Sequence, residues 1–348
     1  MPNQPLVSIV TPSKDQATFL TECLLSVQRQ AYPELEHIVV DGGSKDGTVD
    51  LLKAFSNSAR LRWISEPDRG QSEALNKGFA IARGEIVGWL NADDWYLPGA
   101  VTRAVARLKA EPRSGWVHGD GYAIDAEGTV LRRLRPGPLR LKDLVLGGML
   151  LVQPSLFFRR DALEAVGAVA EDIHTTMDED FCLRLALLRQ GSYIPEVQAV
   201  RRRHAQSKSA RLATAFCGDT LKALDNFYSR GDLPDEIQGL RPLAYARRYA
   251  VCANRMFMAG KYSEAKALVR KAIGTAPGHL LSGQPALAAI YLQSSLRINW
   301  LNPGLRPRLA EWRFRVRHPA IRLGWDLDAT PVFQAEGASV ETTGETSP

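Results

Sequence analysis

Short apolar runs rich in β-branched residues alternate with amphipathic stretches through the first 110 residues, and this alternation constrains the fold more than any other feature. Residues 6–10 (LVSIV) and 37–41 (HIVVD) each run into polar or glycine residues, the pattern of parallel strands buried on both faces. Between them Phe19, Leu20, Cys23, Leu24 and Val27 fall on one face at helical spacing, and Pro33 stops that helix. The pattern further predicts a strand over 61–64, a helix over 71–82 ended by Gly84, a strand over 86–90, and a helix over 98–110 with Pro98 in its first turn. Such repetition implies an α/β fold, a twisted and mostly parallel sheet flanked by helices, with ligands beyond the carboxyl ends of the strands.

From 116 to 200 the pattern is less regular and predicts mixed strands: one at 116–119, an apolar run at 144–152, a strand at 156–159 and a helix at 179–190. After residue 203 the chain reads as helical, with a pair over 244–258 and 263–273 joined by Gly260-Lys261-Tyr262. The expected organisation is an α/β domain over 1–210, a basic helical region over 211–328 and a Gly-, Thr- and Glu-rich tail over 329–348 that reads as disordered. Charge supports the division. Residues 1–200 carry 22 Lys/Arg against 26 Asp/Glu, and residues 201–325 carry 22 against 7. The four cysteines lie far apart with no C-x-x-C pair, the first residues lack a basic leader, and the apolar stretch at 280–292 is broken by Gly283 and Pro285. A cytoplasmic chain is expected, or one peripheral on the inner face of the cell membrane.

Five polar clusters fall at predicted element ends. Residues 41–48 (DGGSKDGT) follow the second strand; Asp41 can accept hydrogen bonds from a base or ribose, and the glycines admit close approach of a ligand. A plain turn with Ser44 or Asp46 capping a helix explains the same residues. Residues 91–95 (NADDW) end the strand at 86–90. Adjacent carboxylates such as Asp93 and Asp94 repel unless a cation or a capping role compensates, and Mg²⁺ or Mn²⁺ suits such ligands. Residues 66–71 (EPDRGQ) enter a helix carrying Asn76 and Lys77, which sets N–H groups and a cation at the same sheet edge; alone the segment also reads as a turn with a surface ion pair. Asp178, Glu179 and Asp180 precede the apolar run Phe181, Leu183, Leu185, Leu188. Three acids suit a helix N-terminus, and mutual repulsion with partial burial can raise one carboxyl into the range of a general base. His204 stands in the basic segment 201–209 (RRRHAQSKS), whose cations suit a diphosphate and whose imidazole can add a metal ligand.

In this order and spacing the motifs resemble those of the family 2 glycosyltransferases with a GT-A fold, over about residues 6–210. Residues 7–12 (VSIVTP) look like the family's opening strand and 41–48 like its nucleotide-binding signature, while 66–70, Asn76-Lys77-Gly78, Gly84-Glu85 and 91–95 are similar to members that build bacterial surface polysaccharides. The resemblance implies that Thr11, Pro12, Asp41, Asp68, Arg69, Asn76, Asn91 and Ala92 bind the nucleotide sugar. It implies that Asp93 holds the metal, with Asp94 sharing it and His204 near the diphosphate in an element like the family's H-x-x-S. Asn91 departs from the family by standing where the first acid of the D-x-D element is expected. Asp178 takes the place of the catalytic base, with Asp180 as the alternative, and Gln153-Pro154-Ser155 borders the acceptor. The implied activity is an inverting transfer of a hexosyl or N-acetylhexosaminyl group, dependent on Mn²⁺ or Mg²⁺. The donor would be a nucleotide sugar, a UDP-sugar by preference, and the acceptor a saccharide or a lipid-linked glycan of the bacterial cell envelope.

Other classes fit less well. A nucleotidyltransferase would carry a G-x-G-x-R-type loop where Thr11-Pro12-Ser13-Lys14-Asp15 stands, and the nicotinamide fingerprint is missing from the same turn. An inactive scaffold acting through its helical half would not need Asp41, Asp93 and Asp178 together. The basic half, with Trp300, Trp312, Phe314 and Trp325 among arginines, suits an anionic membrane surface, while a solvated face or a homodimer interface accounts for individual arginines. No motif points to nucleic acid.

Overall fold

The structure is a computed structural model and describes residues 4–204, 207–208, 212, 215–277, 291–292, 321–324 and 332–335. The first strands are β1 (Val7–Ser13), β2 (Leu35–Asp41), β3 (Leu61–Ser65) and β4 (Ile86–Trp89). Alternating side chains divide them between two cores. Val7 and Ile9 of β1, Val39 of β2 and Ile86 of β4 join one cluster, and Val10, Ile38, Val40, Val87 and Trp89 join the other. Helices α1 (Ala17–Gln28), α2 (Thr48–Ala54) and α4 (Ala100–Ala110) cover the first face. Helices α3 (Gln71–Ile81), α5 (Leu141–Gly147), α6 (Arg160–Val166) and α7 (Met177–Leu188) cover the second.

The remaining strands are β5 (Trp95–Tyr96), β6 (Ser114–Ile124), β7 (Val130–Leu134), β8 (Phe157–Arg159) and β9 (Gln190–Arg202), and the sheet order is β3-β2-β1-β4-β8-β6-β9-β5 with β7 also on β6. The sheet is parallel over β1 to β4 and mixed beyond them, as the less regular pattern after residue 116 predicted. β1 to β4 pair in parallel, as do β6 and β9, whereas β8 runs antiparallel to β4 and β6, β7 to β6, and β5 to β9. Short connections, such as the turn at 125–129 between β6 and β7, have no helical crossover and so return the chain antiparallel.

β9 was not expected at all. Its alternation is interrupted by Pro195, and the register against β6 jumps from Gly119↔Ile194 to Asp120↔Val197, so the strand carries Pro195 and Glu196 as a bulge. Helix α4 begins at Ala100 behind Gly99, which adopts φ 77, leaving Pro98 in the preceding turn. Within the loop at 41–48, Asp46 accepts N–H bonds from Ala17 (2.9 Å) and Thr48 (3.1 Å), joining the N-termini of α1 and α2.

Beyond residue 214 lie α8 (Ala215–Tyr228), α9 (Asp235–Gly239), α10 (Arg241–Met258) and α11 (Tyr262–Thr275). α10 and α11 form the expected helix pair. The core, however, crosses residue 210: Ala223, Leu224, Phe227, Tyr228, Ile237 and Ala244 belong to the same buried cluster as α3 and α7. In the tail read as disordered, β11 (Val332–Ala335) pairs with β10 (Ile321–Gly324). The other tail residues, and Trp300, Trp312, Phe314 and Trp325, lie outside the described residues. Among the described residues no helix is long and apolar enough to cross a membrane.

Candidate active site

The loops after β1, β2 and β3 converge. Asp41, fully buried at the end of β2, accepts hydrogen bonds from the N–H groups of Gly43 (3.1 Å) and Ser44 (2.9 Å) and from the hydroxyls of Ser44 and Ser65. Its carboxylate therefore organises the loop. Gly42 leaves room for the Asp68 carboxylate: a β-carbon there would lie 2.5 Å from Asp68 Oδ2, which would have to shift. Asp68 is fixed in turn by the Gly70 N–H (3.0 Å), and Lys14 donates to the Gly42 carbonyl (2.7 Å). Opposite Asp41 stands Ser13, whose hydroxyl is buried without a partner among the described residues. Ser13 and Lys14 are site candidates that sequence reading passed over, because nothing local separates them from an ordinary strand end.

Several expected donor contacts are turned elsewhere. Thr11 lies on the α1 side of β1, and its buried hydroxyl is 2.9 Å from His37 Nε2, an imidazole that burial pushes down to about 3. Any contact from Thr11 to a ligand would have to come from its backbone. Pro12 is buried opposite Val40, and Ala92 is buried against the α1 side of the sheet. Arg69 is exposed and paired with Glu73 (2.8 Å) and Glu171 (2.7 Å). Asn76 clamps the backbone of Val169, accepting its N–H at 2.8 Å and donating to its carbonyl at 3.0 Å. Five residues along a helix turn a side chain far round the axis, so Asn76 cannot share the direction of Gln71, which reaches the Asn91 amide.

Asn91 is a hub. Its Oδ1 accepts from Gln71 (2.9 Å) and Trp89 Nε1 (2.9 Å), and its Nδ2 donates to Gln153 Oε1 (2.9 Å) and Asp94 Oδ2 (3.2 Å). A carboxylate could not donate, which gives a physical reason for an amide where the family pattern has an acid. Asn91→Asp should cost about 1–3 kcal/mol through the two orphaned acceptors, read as a lower urea midpoint at unchanged slope.

Asp94 does not sit where a shared metal ligand was expected. It is buried, its Oδ1 accepts the Arg202 N–H (2.9 Å), and burial together with the Asp93 charge pushes its carboxyl well above the usual range. Asp93 is partly open to solvent, and its Oδ2 lies 3.1 Å from His204 Nε2. Arg202 makes this meeting possible: stacked on Phe19 (4.5 Å) and Trp95 (4.9 Å) and paired with Glu22, it anchors the end of β9 so that the chain returns to Asp93. A carboxylate and an imidazole converging on one point suit Mg²⁺ or Mn²⁺, which keep positions for phosphate oxygens and water. Among the described residues no third His, Cys, Asp or Glu completes a closed cage.

The acidic triplet on α7 is divided by its partners. Asp180 is buried and held by Arg184 (2.7 Å), which also donates to the carbonyls of Val166 and Ala168. Glu179 is buried against Arg248 of α10 (2.7 Å) and Thr220 of α8 (3.1 Å). Asp178 is half-buried and accepts the Glu179 N–H (2.9 Å). Loss of hydration raises its carboxyl to about 6; the Glu179 charge adds to the rise, and the Arg201 charge opposes it. The charge of Arg201 acts on both Asp94 and Asp178, and that of Lys208 on both Asp178 and Asp68, so these groups lie within electrostatic reach of one another.

The glycosyl transferase family 2 model matches residues 8–167. A glycosyltransferase of uncharacterized function from Mycobacterium tuberculosis, MT1564, is 31% identical over 192 residues, covering 54% of this chain and 71% of its own length. The chain belongs to glycosyl transferase family 2. Among other family relatives, the O-antigen biosynthesis protein RfbC of Myxococcus xanthus is 30% identical over 262 residues, 71% of this chain and 20% of that protein. This chain thus spans about a fifth of RfbC. The fold is that of the GT-A glycosyltransferases. Residues 1–349 of S. aureus TarS in complex with UDP-GlcNAc superpose with a TM-score of 0.58 at 15% identity, over 86% of this chain and 91% of that one. The mannosyltransferase PcManGT of Pyrobaculum calidifontis, in complex with GDP-Man and Mn²⁺, gives 0.56 at 19% identity, over 90% and 88%.

Proposed function

We propose that this family 2 glycosyltransferase performs a metal-dependent, inverting transfer of a hexosyl or N-acetylhexosaminyl group from a nucleoside diphosphate sugar to an acceptor hydroxyl. A UDP-sugar is the favoured donor, and bacterial cell-surface polysaccharide or glycolipid the favoured product. One observation carries the reading: of three consecutive acids only Asp178 makes no ion pair among the described residues, and it is half-buried with its carboxyl near 6.

In the reaction Asp178 accepts the proton of the acceptor hydroxyl as its oxygen attacks the anomeric carbon, and a single displacement inverts that centre. Ser13, Gly42 and Asp68 face the nucleoside, and Gln71, held by Asn91, orients the start of α3 toward the diphosphate. Asp93 and His204 would hold Mg²⁺ or Mn²⁺, which when bound supplies charge neutralisation to the leaving diphosphate. Lys208, donating toward Gln71 Oε1 at 3.5 Å, adds a cation to the same edge.

The test is donor hydrolysis by the full chain across UDP- and GDP-sugars with Mn²⁺ or Mg²⁺. Slow release of nucleoside diphosphate that stops on chelation is the expected result. A chain that shows neither turnover nor metal-dependent affinity for any nucleoside diphosphate would be a scaffold instead.

A further inference from the structure

Arg132 of β7 and Arg201 of β9 both stand opposite Ala123 of β6, one on each side of it. Residues in one cross-strand row share a face of the sheet, so two cations flank a single alanine, an arrangement that by itself disfavours pairing. Their chain neighbours are treated differently. On the other face Arg133 pairs with Asp120 (2.9 Å) and Arg202 pairs with Glu22. Arg132 and Arg201 make no hydrogen bond or ion pair through their side chains among the described residues, and Arg132 Nε is sealed from water without a partner. Burial holds Arg201 below the usual arginine range, and the charges of Arg132 and Arg203 add to this effect. Both residues are half-buried, and a polar atom such as Arg132 Nε, sealed without an acceptor, is costly to a fold, a cost that a ligand supplying acceptors would remove.

We propose that Arg132 and Arg201 form a phosphate-binding subsite for the acceptor, which would present its hydroxyl to Asp178 while a phosphate group of its own lies between the two guanidinium forks. Planar forks match phosphate oxygens two at a time. The subsite rests on the reading of Asp178 as the base, because Arg201 acts electrostatically on that carboxylate. It is set off from the loops that hold Asp41 and Asp68. Those loops end β1, β2 and β3 on one side of β4, and the Arg132–Ala123–Arg201 row lies on the other side, beyond β8.

The experiment titrates the full chain with inorganic phosphate, alone and with saturating UDP or GDP and Mg²⁺. Phosphate is expected to bind with equal affinity in both conditions. Arg132→Gln and Arg201→Gln should each weaken it by about 10-fold or more, as removal of a charge-assisted hydrogen bond does, and Arg133→Gln should not. Neither loss removes a side-chain hydrogen bond or ion pair among the described residues, so both variants should melt no lower than the parent. Phosphate that is displaced by the nucleoside diphosphate, that ignores both substitutions, or that fails to bind the parent chain overturns the proposal. Failure of UDP and GDP themselves to bind would count against glycosyl transfer instead.

Discussion

Asp178→Asn should lower turnover about 10²–10⁴-fold while leaving the affinity for the nucleotide sugar within a small factor, because a general base acts on the acceptor proton and not on the donor. The substitution keeps shape and hydrogen-bonding capacity and removes only the basic carboxylate. A second readout follows from the carboxyl being raised to about 6. The working form is the deprotonated one, so kcat/KM should rise with pH through about 6 and level off above it, and the residual rate of Asp178→Asn should lose that limb. Asp180→Asn separates the two acids. It breaks the Arg184 pair, so its main effect should be on stability, with the limb near pH 6 retained. Wild-type turnover in Asp178→Asn would end the assignment.

Arg248→Met should destabilise the chain by about 3–5 kcal/mol, the cost of leaving one partner of a buried ion pair uncompensated. Arg248 joins three elements. It pairs with Glu179 at 2.7 Å and donates to the carbonyls of Leu144 (3.2 Å), Val145 (3.3 Å) and Leu146 (3.3 Å) near the end of α5, where a cation also meets the helix dipole. Without it Glu179, buried, keeps only Thr220 as a partner among the described residues. Because Glu179 follows Asp178 in the first turn of α7, turnover should fall as well. The double variant Glu179→Gln with Arg248→Met should recover part of the stability, since it buries no lone charge. Urea unfolding of the two singles and the double measures the coupling; a loss below 1 kcal/mol in Arg248→Met would show that water reaches Glu179.

These two expectations mark how far the sequence could be read. The alternation of 6–10, 37–41, 61–64 and 86–90 with helical spacing was sufficient for the α/β class, because strand and helix periods are local properties of the chain. Element ends were legible for the same reason, and so the clusters at 41, 68, 91–94, 178 and 204 all lie where unusual polar residues could be noticed. β9 escaped because a bulge at Pro195 breaks its period, and which of the later strands run antiparallel was not legible because strand direction depends on how the chain returns.

What no local pattern contains is the partner of each polar group. Asp178, Glu179 and Asp180 are equivalent in sequence, and they become a carboxylate with no ion pair among the described residues, a buried pair with a residue 69 positions away, and an ion pair one helical turn on. The same holds for Asn76, which meets Val169, and for Thr11, which meets His37. Sequence alone determined which residues carry the acids, amides and cations and near which strand ends they fall. Tertiary structure decided which of them remain open to a substrate, because a polar group's hydrogen-bond capacity is limited and long-range packing determines which groups fill it.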